Sequence, residues 1–271
     1  MAATGLDKEQ AQVEENLRRI RHRLLVFSGK GGVGESTVAV NIAAGLAQAG
    51  WKVGVLDVDI HGPDVAKMLG VEDRRMDVSA EGRITPVETP SGISLVSMAF
   101  LLQDRDTPVV WRGPLKMKII KQFLADVDWE DMDWLIFDSP PGTGDEPLTV
   151  AQLVTATSAL VVTTPQGLAV LDTRKAVKFA QMLKLKVLGV VENMSGLSCP
   201  YCGKHIDLFK TGGGEAMARE LLVPLLAKVP IDPAVVDSGD SGTPFVVGQP
   251  DSEASAAVRM IVERLVEMEG E

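Results

Sequence analysis

The sequence predicts an α/β protein, a doubly wound and mostly parallel sheet with helices on both faces. Short apolar runs alternate along the chain with longer stretches of helical period, the βαβα order of a layered α/β fold. Most of the runs are continuously apolar, as strands buried on both faces of a parallel sheet are. A glycine-rich stretch, SGKGGVGEST at 28–37, follows one such run and opens a helical pattern, which is where these sheets bind phosphate.

The first twenty or so residues read as a charged helix with a thin apolar stripe of Val13, Leu17, Ile20 and Leu24. This stretch is a helical arm over 1–21, either packed on the remainder or mobile. Strands are expected at RLLVFS (23–28), KVGVLDVD (52–59), ISLVSM (93–98), WLIFD (134–138), ALVVTT (159–164), KVLGVV (186–191) and LLAKVP (225–230). Helical patterns cover 36–49, closed by Gly50, then 114–126, 168–183 and 213–222, with a last helix from about Ser252 to Glu267. No Pro/Gly/Ser linker and no repeat divides 22–271, which reads as one domain.

Lys and Arg total 27 against 37 Asp and Glu, a net charge of −10, which argues against a broad nucleic-acid footprint. Aromatics are only 4%, so Val, Leu, Ile and Ala must build the core. The polar start lacks the apolar centre of a signal peptide, and no apolar run reaches bilayer length, so a cytoplasmic setting without membrane is expected. The two cysteines are then not expected to form a structural disulfide.

In the glycine loop, Gly29, Gly31, Gly32 and Gly34 let backbone N–H groups wrap phosphates, Val33 lies between the last two, and the following helix adds its positive end. The Ser36 hydroxyl is placed for Mg²⁺, and Thr37 follows it. Glu35 stands where this spacing calls for a lysine reaching the β- and γ-phosphates. Two unit charges about 4 Å apart interact at roughly 4 kcal/mol at an effective dielectric near 20. Exchanging attraction for repulsion therefore predicts weakened ATP binding and impaired hydrolysis, unless Glu35 turns outward or binds a metal.

Two further segments end apolar strands with carboxylates, in the position where α/β sheets bind ligands. VLDVDIHGPD brings Asp57 and Asp59, two residues apart and so on one face. WLIFDSPPGTGD brings Asp138, which would hold the Mg²⁺ shell through water. Each alone reads as a cap or turn residue; together, downstream of a phosphate loop, they read as a nucleotide site.

Cys199-Pro-Tyr-Cys202 is a second chemical centre. Two thiolates cannot complete a tetrahedral zinc site or a 4Fe–4S cluster, each of which needs four ligands, whereas a two-fold homodimer supplies four sulfurs. A zinc set completed by His205, or thiol chemistry of the kind glutaredoxin's similar tetrapeptide performs, are the alternatives.

With lysine at 35, GKGGVGKST would match the deviant phosphate loop of the ParA/MinD/nitrogenase-iron-protein superfamily. That resemblance implies that Lys30 crosses the interface of an ATP-sandwiched dimer to the partner's nucleotide. It also implies that Asp59 orients the attacking water, Asp57 assists with Mg²⁺, residues 142–145 sense the γ-phosphate, Asn193 reads the adenine and residues 229–239 close over the base.

DVDIHGP, WRGP at 111–114, DSPPGTGD, VTTPQGLAVLDTRKA, ENMSGLSCPYCG and GGGEAMA, spread over about 22–266, resemble the Mrp/ApbC family of P-loop iron–sulfur cluster carriers. The resemblance implies a 4Fe–4S cluster bridging Cys199 and Cys202 of two subunits, passed to apo-proteins in an ATP-driven cycle. Departures are Glu35, Ser139 before Pro140-Pro141, and Asp64 where a serine often sits; only Glu35 touches the mechanism.

Two other readings compete. One is a MinD- or ParA-like positioning ATPase that binds membrane or DNA; the MinD kind would end in a basic amphipathic helix, but VERLVEMEGE carries Glu263, Glu267, Glu269 and Glu271, and the net charge speaks equally against DNA. A non-catalytic cluster scaffold is the other, since the cysteine pair does not depend on the loop.

Overall fold

The computed structural model describes residues 5–59, 62–101 and 113–270. α1 (Gly5–Arg18) leads into β1 (Ile20–Ser28), and the glycine loop joins β1 to α2 (Glu35–Gln48). β2 (Val53–Asp57), the short α3 (Val65–Met68) and a hairpin of β3 (Asp77–Val78) and β4 (Ile84–Thr85) follow. β5 (Val87–Glu88) and β6 (Ile93–Ser97) precede a 3-10 turn at Met98–Leu101. The alternation continues through α4 (Gly113–Asp126), β7 (Met132–Asp138), α5 (Asp145–Leu153), β8 (Ser158–Thr163), α6 (Gly167–Met182) and β9 (Lys186–Glu192). A second hairpin, β10 (Leu197–Ser198) and β11 (His205–Ile206), carries both cysteines between its strands. α7 (Gly213–Glu220), β12 (Leu225–Lys228), α8 (Pro233–Ser241), α9 (Phe245–Gly248) and α10 (Glu253–Glu269) complete the order.

The main sheet runs β12-β9-β8-β1-β7-β2-β6-β5 and is parallel except for the β5 edge. β1 lies between β7 and β8, so the order reverses beside it and leaves a crevice at the carboxyl ends of the central strands. Along β1 the continuous apolar run divides strictly by parity. Leu24 and Val26 enter the core under α2 and α10, while Leu25 and Phe27 enter the core under α4 and α6. Fully burying a side chain such as Phe27 stabilises the fold by roughly 1.5–3 kcal/mol.

All seven expected strands occur, most within two residues of the expected ends. β1 differs most, beginning three residues early at Ile20. Ile20 and Leu24, expected on a helical stripe, are therefore strand residues; α1 ends at Arg18, and only Val13 and Leu17 of that stripe are helical. α1 is tied down by Asn16, whose Nδ2 donates to Leu124 O at 2.9 Å and Ala125 O at 2.7 Å at the end of α4. The last helix starts as expected, with the Ser252 hydroxyl accepting from Ser255 N at 3.1 Å. α5, α8 and the short α3 and α9 were not legible from period. They are brief, and α8 begins at Pro233 behind the Asp232 cap, within a loop-like sequence.

Candidate functional site

The crevice is built on the glycine loop. Ser28, buried at the end of β1, donates its hydroxyl to Lys30 O at 2.7 Å and accepts from Lys30 N at 3.0 Å, which bends the chain as it leaves the strand. A side chain at Gly29 would strike the backbone of Asp172 in α6, and Gly32 (φ 81°) and Gly34 (φ 87°) hold left-handed conformations. Val33 is buried, and Gly31 and Lys30 are exposed. No side chain caps α2 at Gly34, so the first turn, with Ser36 and Thr37, presents its N–H groups toward the crevice.

The carboxylates converge from three chain segments. Asp57 and Asp138 end neighbouring strands as register partners, and both are buried. Asp57 Oδ2 accepts from Ser97 Oγ at 2.7 Å and Oδ1 from Asp59 N at 3.1 Å. Burial, then the neighbouring Asp138, hold the Asp57 carboxyl well above the ordinary range. Asp138 is pushed up to about 7, chiefly by burial and also by Asp59 and Asp64, against a hydrogen bond from Ser36 that lowers it. Its Oδ1 has no partner.

Glu35 does not turn outward. Only 8% of it is exposed, and its Oε1 is buried without a partner. Burial first, then Asp138 and Asp59, raise its carboxyl to about 8, against the lowering effect of a hydrogen bond with Ser28. A carboxyl titrating there keeps its proton at neutral pH. The side chain meets the expected like-charge repulsion by remaining neutral, which leaves the loop without the cation its spacing calls for.

Beyond the loop lies a cavity of about 300 Å³ lined by Gly34, Thr37, Asn193, Met194, Phe209, Ile231 and Val235 among others. It adjoins a second of about 360 Å³ that includes Asn41, Lys67, Asp240 and Phe245. Asn193 donates from Nδ2 to Val33 O at 2.8 Å, and residues 230–236 form part of the wall. The apolar wall with a few polar groups at one end suits a flat heterocycle. Met194, Phe209 and Phe245 were missed by sequence reasoning, since the first two are isolated apolar residues in loops and the third opens the four-residue α9, too short to show a period. Ser97 was also missed; a hydroxyl closing an apolar strand was its only signal.

The cysteine hairpin is rooted on the wall of this cavity, where Ile231 N donates to Gly196 O at 2.7 Å. Cys199 is half-buried and Cys202 exposed, both as free thiols. Cys199 N donates to Lys204 O at 3.0 Å and Gly203 N to Cys199 O at 2.8 Å, closing the turn. Hydrogen bonds from the Tyr201 and Cys202 backbone N–H groups, then from the Cys202 thiol, lower the Cys199 thiol's pKa. His205 lies in the same hairpin with Nε2 2.9 Å from Asp207 Oδ1. Among the described residues no group of three or more His, Cys, Asp or Glu is placed to hold a metal ion, so the His205 zinc set finds no third protein ligand beside it. Two sulfurs remain open to ligands from outside the chain.

Trp111 and Arg112 of the WRGP stretch, Ile60, His61 and Glu271 lie outside the described residues, as does the side chain of Asp145. Among the described residues no helix is long and apolar enough to cross a membrane.

Comparison with known proteins bears on the same residues. The family model ParA, described as the NUBPL iron-transfer P-loop NTPase, matches residues 19–266. An iron–sulfur cluster carrier protein of Methanocaldococcus jannaschii is 47% identical over 263 residues, 97% of this chain and 90% of that protein. A cytosolic Fe-S cluster assembly factor NUBP2 homolog of Monosiga brevicollis is 42% identical over 257 residues, 94% of this chain and 90% of that protein. Among solved structures, a nucleotide-binding protein of Archaeoglobus fulgidus in complex with ADP superposes with a TM-score of 0.79 at 37% identity, covering 91% of this chain and 95% of that one. The cell division ATPase MinD of Pyrococcus furiosus superposes at 0.69 with 24% identity, over 92% of this chain and 99% of that one, a likeness of fold.

Proposed function

The chain belongs to the ParA family of NUBPL iron-transfer P-loop NTPases, and on that premise we propose that it is a homodimeric iron–sulfur cluster carrier whose ATP cycle is impaired by Glu35. The observation that carries the reading is the pairing, in one chain, of a phosphate loop with an open two-thiol hairpin. The cargo is a 4Fe–4S cluster held by Cys199 and Cys202 of each of two subunits, four sulfurs in all. Recipients are apo iron–sulfur proteins, and the relative named a cytosolic assembly factor supports a cytosolic setting.

ATP would lie on the loop residues 29–37, with its base toward Asn193 and the 300 Å³ cavity. Lys30, exposed at the loop's edge, is free to reach across a dimer. Ser36 and Asp138, hydrogen-bonded to each other with Asp138 Oδ1 unpartnered, fit Mg²⁺, an ion that would screen the phosphate charge when bound. Asp59, at the mouth of the crevice, would orient the attacking water, and Asp57 supports it through the bond to Asp59 N. Glu35, neutral and inward, supplies no positive charge to the phosphates. A non-catalytic scaffold is the second reading, favoured by that placement.

Anaerobic reconstitution with iron and sulfide tests the carrier reading. About two irons per chain in a dimer, lost in Cys199→Ser/Cys202→Ser, equal one shared cluster; zinc, or no metal in either protein, refutes it. Glu35→Lys is expected to raise ATP hydrolysis well above that of the parent. Equal rates would remove the assigned role of position 35.

A further inference from the structure

Glu192 closes β9 with no exposure to solvent and belongs to neither site described above. Its Oε1 accepts from the Ser195 hydroxyl at 2.5 Å and from Gly212 N at 2.8 Å, and its Oε2 accepts from Gly214 N at 2.5 Å. Ser195 stands where the chain enters the cysteine hairpin, and Gly212 and Gly214 where it leaves into α7. One buried carboxylate therefore pins both roots of residues 195–212, the segment that carries Cys199 and Cys202. Hydrogen bonds to a charged acceptor are the strong kind, and the start of α7 favours negative charge.

The glycine triplet at 212–214 makes this approach possible. A Cβ on Gly214 would lie 3.0 Å from Glu192 Oε2 and 2.9 Å from Thr163 Cγ2, and one on Gly213 would lie 2.5 Å from Pro165 O. Any side chain at those two positions would push α7 away from the carboxylate.

The next residue serves the other site. Asn193 donates to Val33 O in the phosphate loop at 2.8 Å, and Gly34 has no room for a side chain against that amide. The backbone of the pair is fixed as well, Asn193 N donating to Thr163 O at 2.8 Å and Val229 N to Glu192 O at 2.9 Å. A continuous path thus runs from Val33 through Asn193 to Glu192, and from Glu192 to both ends of the hairpin. A displacement of the loop that Asn193 follows must alter the geometry at Glu192, because the two side chains share a peptide unit.

We propose that Glu192 is the positioning residue through which the occupied phosphate loop and the cysteine hairpin act on one another. The proposal rests on the reading of the chain as a nucleotide-binding cluster carrier. Coupling of this kind is reciprocal: cluster loading changes nucleotide affinity by the factor by which nucleotide changes cluster affinity.

The test measures affinity for a fluorescent ADP analogue in apo and cluster-loaded protein, in the full chain and in its Glu35→Lys variant. Each is prepared with and without Glu192→Gln. The expected ratio of apo to loaded affinity is about 5- to 150-fold with Glu192 in place. It falls to within about twofold in Glu192→Gln, while iron content and apo affinity stay unchanged, an outcome that a merely structural role would not give. Ser195→Ala frees one root only and is expected to give an intermediate ratio, and it carries the test if Glu192→Gln fails to fold. An unchanged ratio in the variants, or no coupling with Glu192 intact, overturns the proposal. If the Glu35→Lys protein binds no nucleotide or retains no iron, the separate measurements show it, and the carrier reading falls together with the proposal.

Discussion

Replacing Glu35 by glutamine removes one titrating group while keeping the shape of the side chain. In the folded chain the Glu35 carboxyl titrates at about 8, against 4.5 for an ordinary glutamate. A carboxyl with a raised folded pKa binds its proton more tightly in the native than in the unfolded state. Its contribution to stability is complete below pH 4.5 and is lost as pH rises through 8. The interval, 8 − 4.5 = 3.5 units, amounts at roughly 1.4 kcal/mol per unit to a loss of about 5 kcal/mol at alkaline pH. Asp57 and Asp138 are also held high and remain in both proteins, so both lose stability with pH and the difference between them isolates Glu35. Urea unfolding of the parent and Glu35→Gln at pH 5, 7 and 9 reads this difference directly. The two are expected to be nearly equal at pH 5, and the variant is expected to lead by several kcal/mol at pH 9. Parallel profiles, offset by a constant within about 0.5 kcal/mol, would refute the inward, proton-holding placement of Glu35.

Other consequences are as direct. Gly34→Ala forces a side chain onto a left-handed residue facing the Asn193 amide, so nucleotide affinity should fall at least tenfold by fluorescence titration and stability by about 1–3 kcal/mol. Asn16→Ala leaves the Leu124 and Ala125 carbonyls without that donor and should cost about 1–3 kcal/mol in urea unfolding. Ser252→Ala removes the cap of α10, an expected loss of about 1 kcal/mol by the same assay. Because its neighbours lower the Cys199 pKa, iodoacetamide labelling followed by mass spectrometry should show Cys199 reacting at a lower pH than a free cysteine, with that advantage lost in denaturant.

The chain's local pattern determined the seven main strands, the helices α2, α4, α6, α7 and α10, and the phosphate loop, because apolar period, glycine spacing and capping residues act over a few positions. The same pattern singled out Asp57, Asp138 and the cysteine pair. The boundary between α1 and β1 escaped it, since Ile20 and Leu24 fit a helical spacing as well as a strand. α8 and α9 escaped it because packing, and not propensity, holds such short helices. Only the tertiary structure decided which strands adjoin, and so that Asp57 and Asp138, 81 positions apart (138 − 57), are register partners. It decided too that Glu35 faces those carboxylates instead of solvent, and that Glu192 reaches both roots of the cysteine hairpin. Residue types and spacings state what chemistry a chain can hold. Where a buried charge points depends on distances between segments remote in sequence, which close only when the sheet assembles.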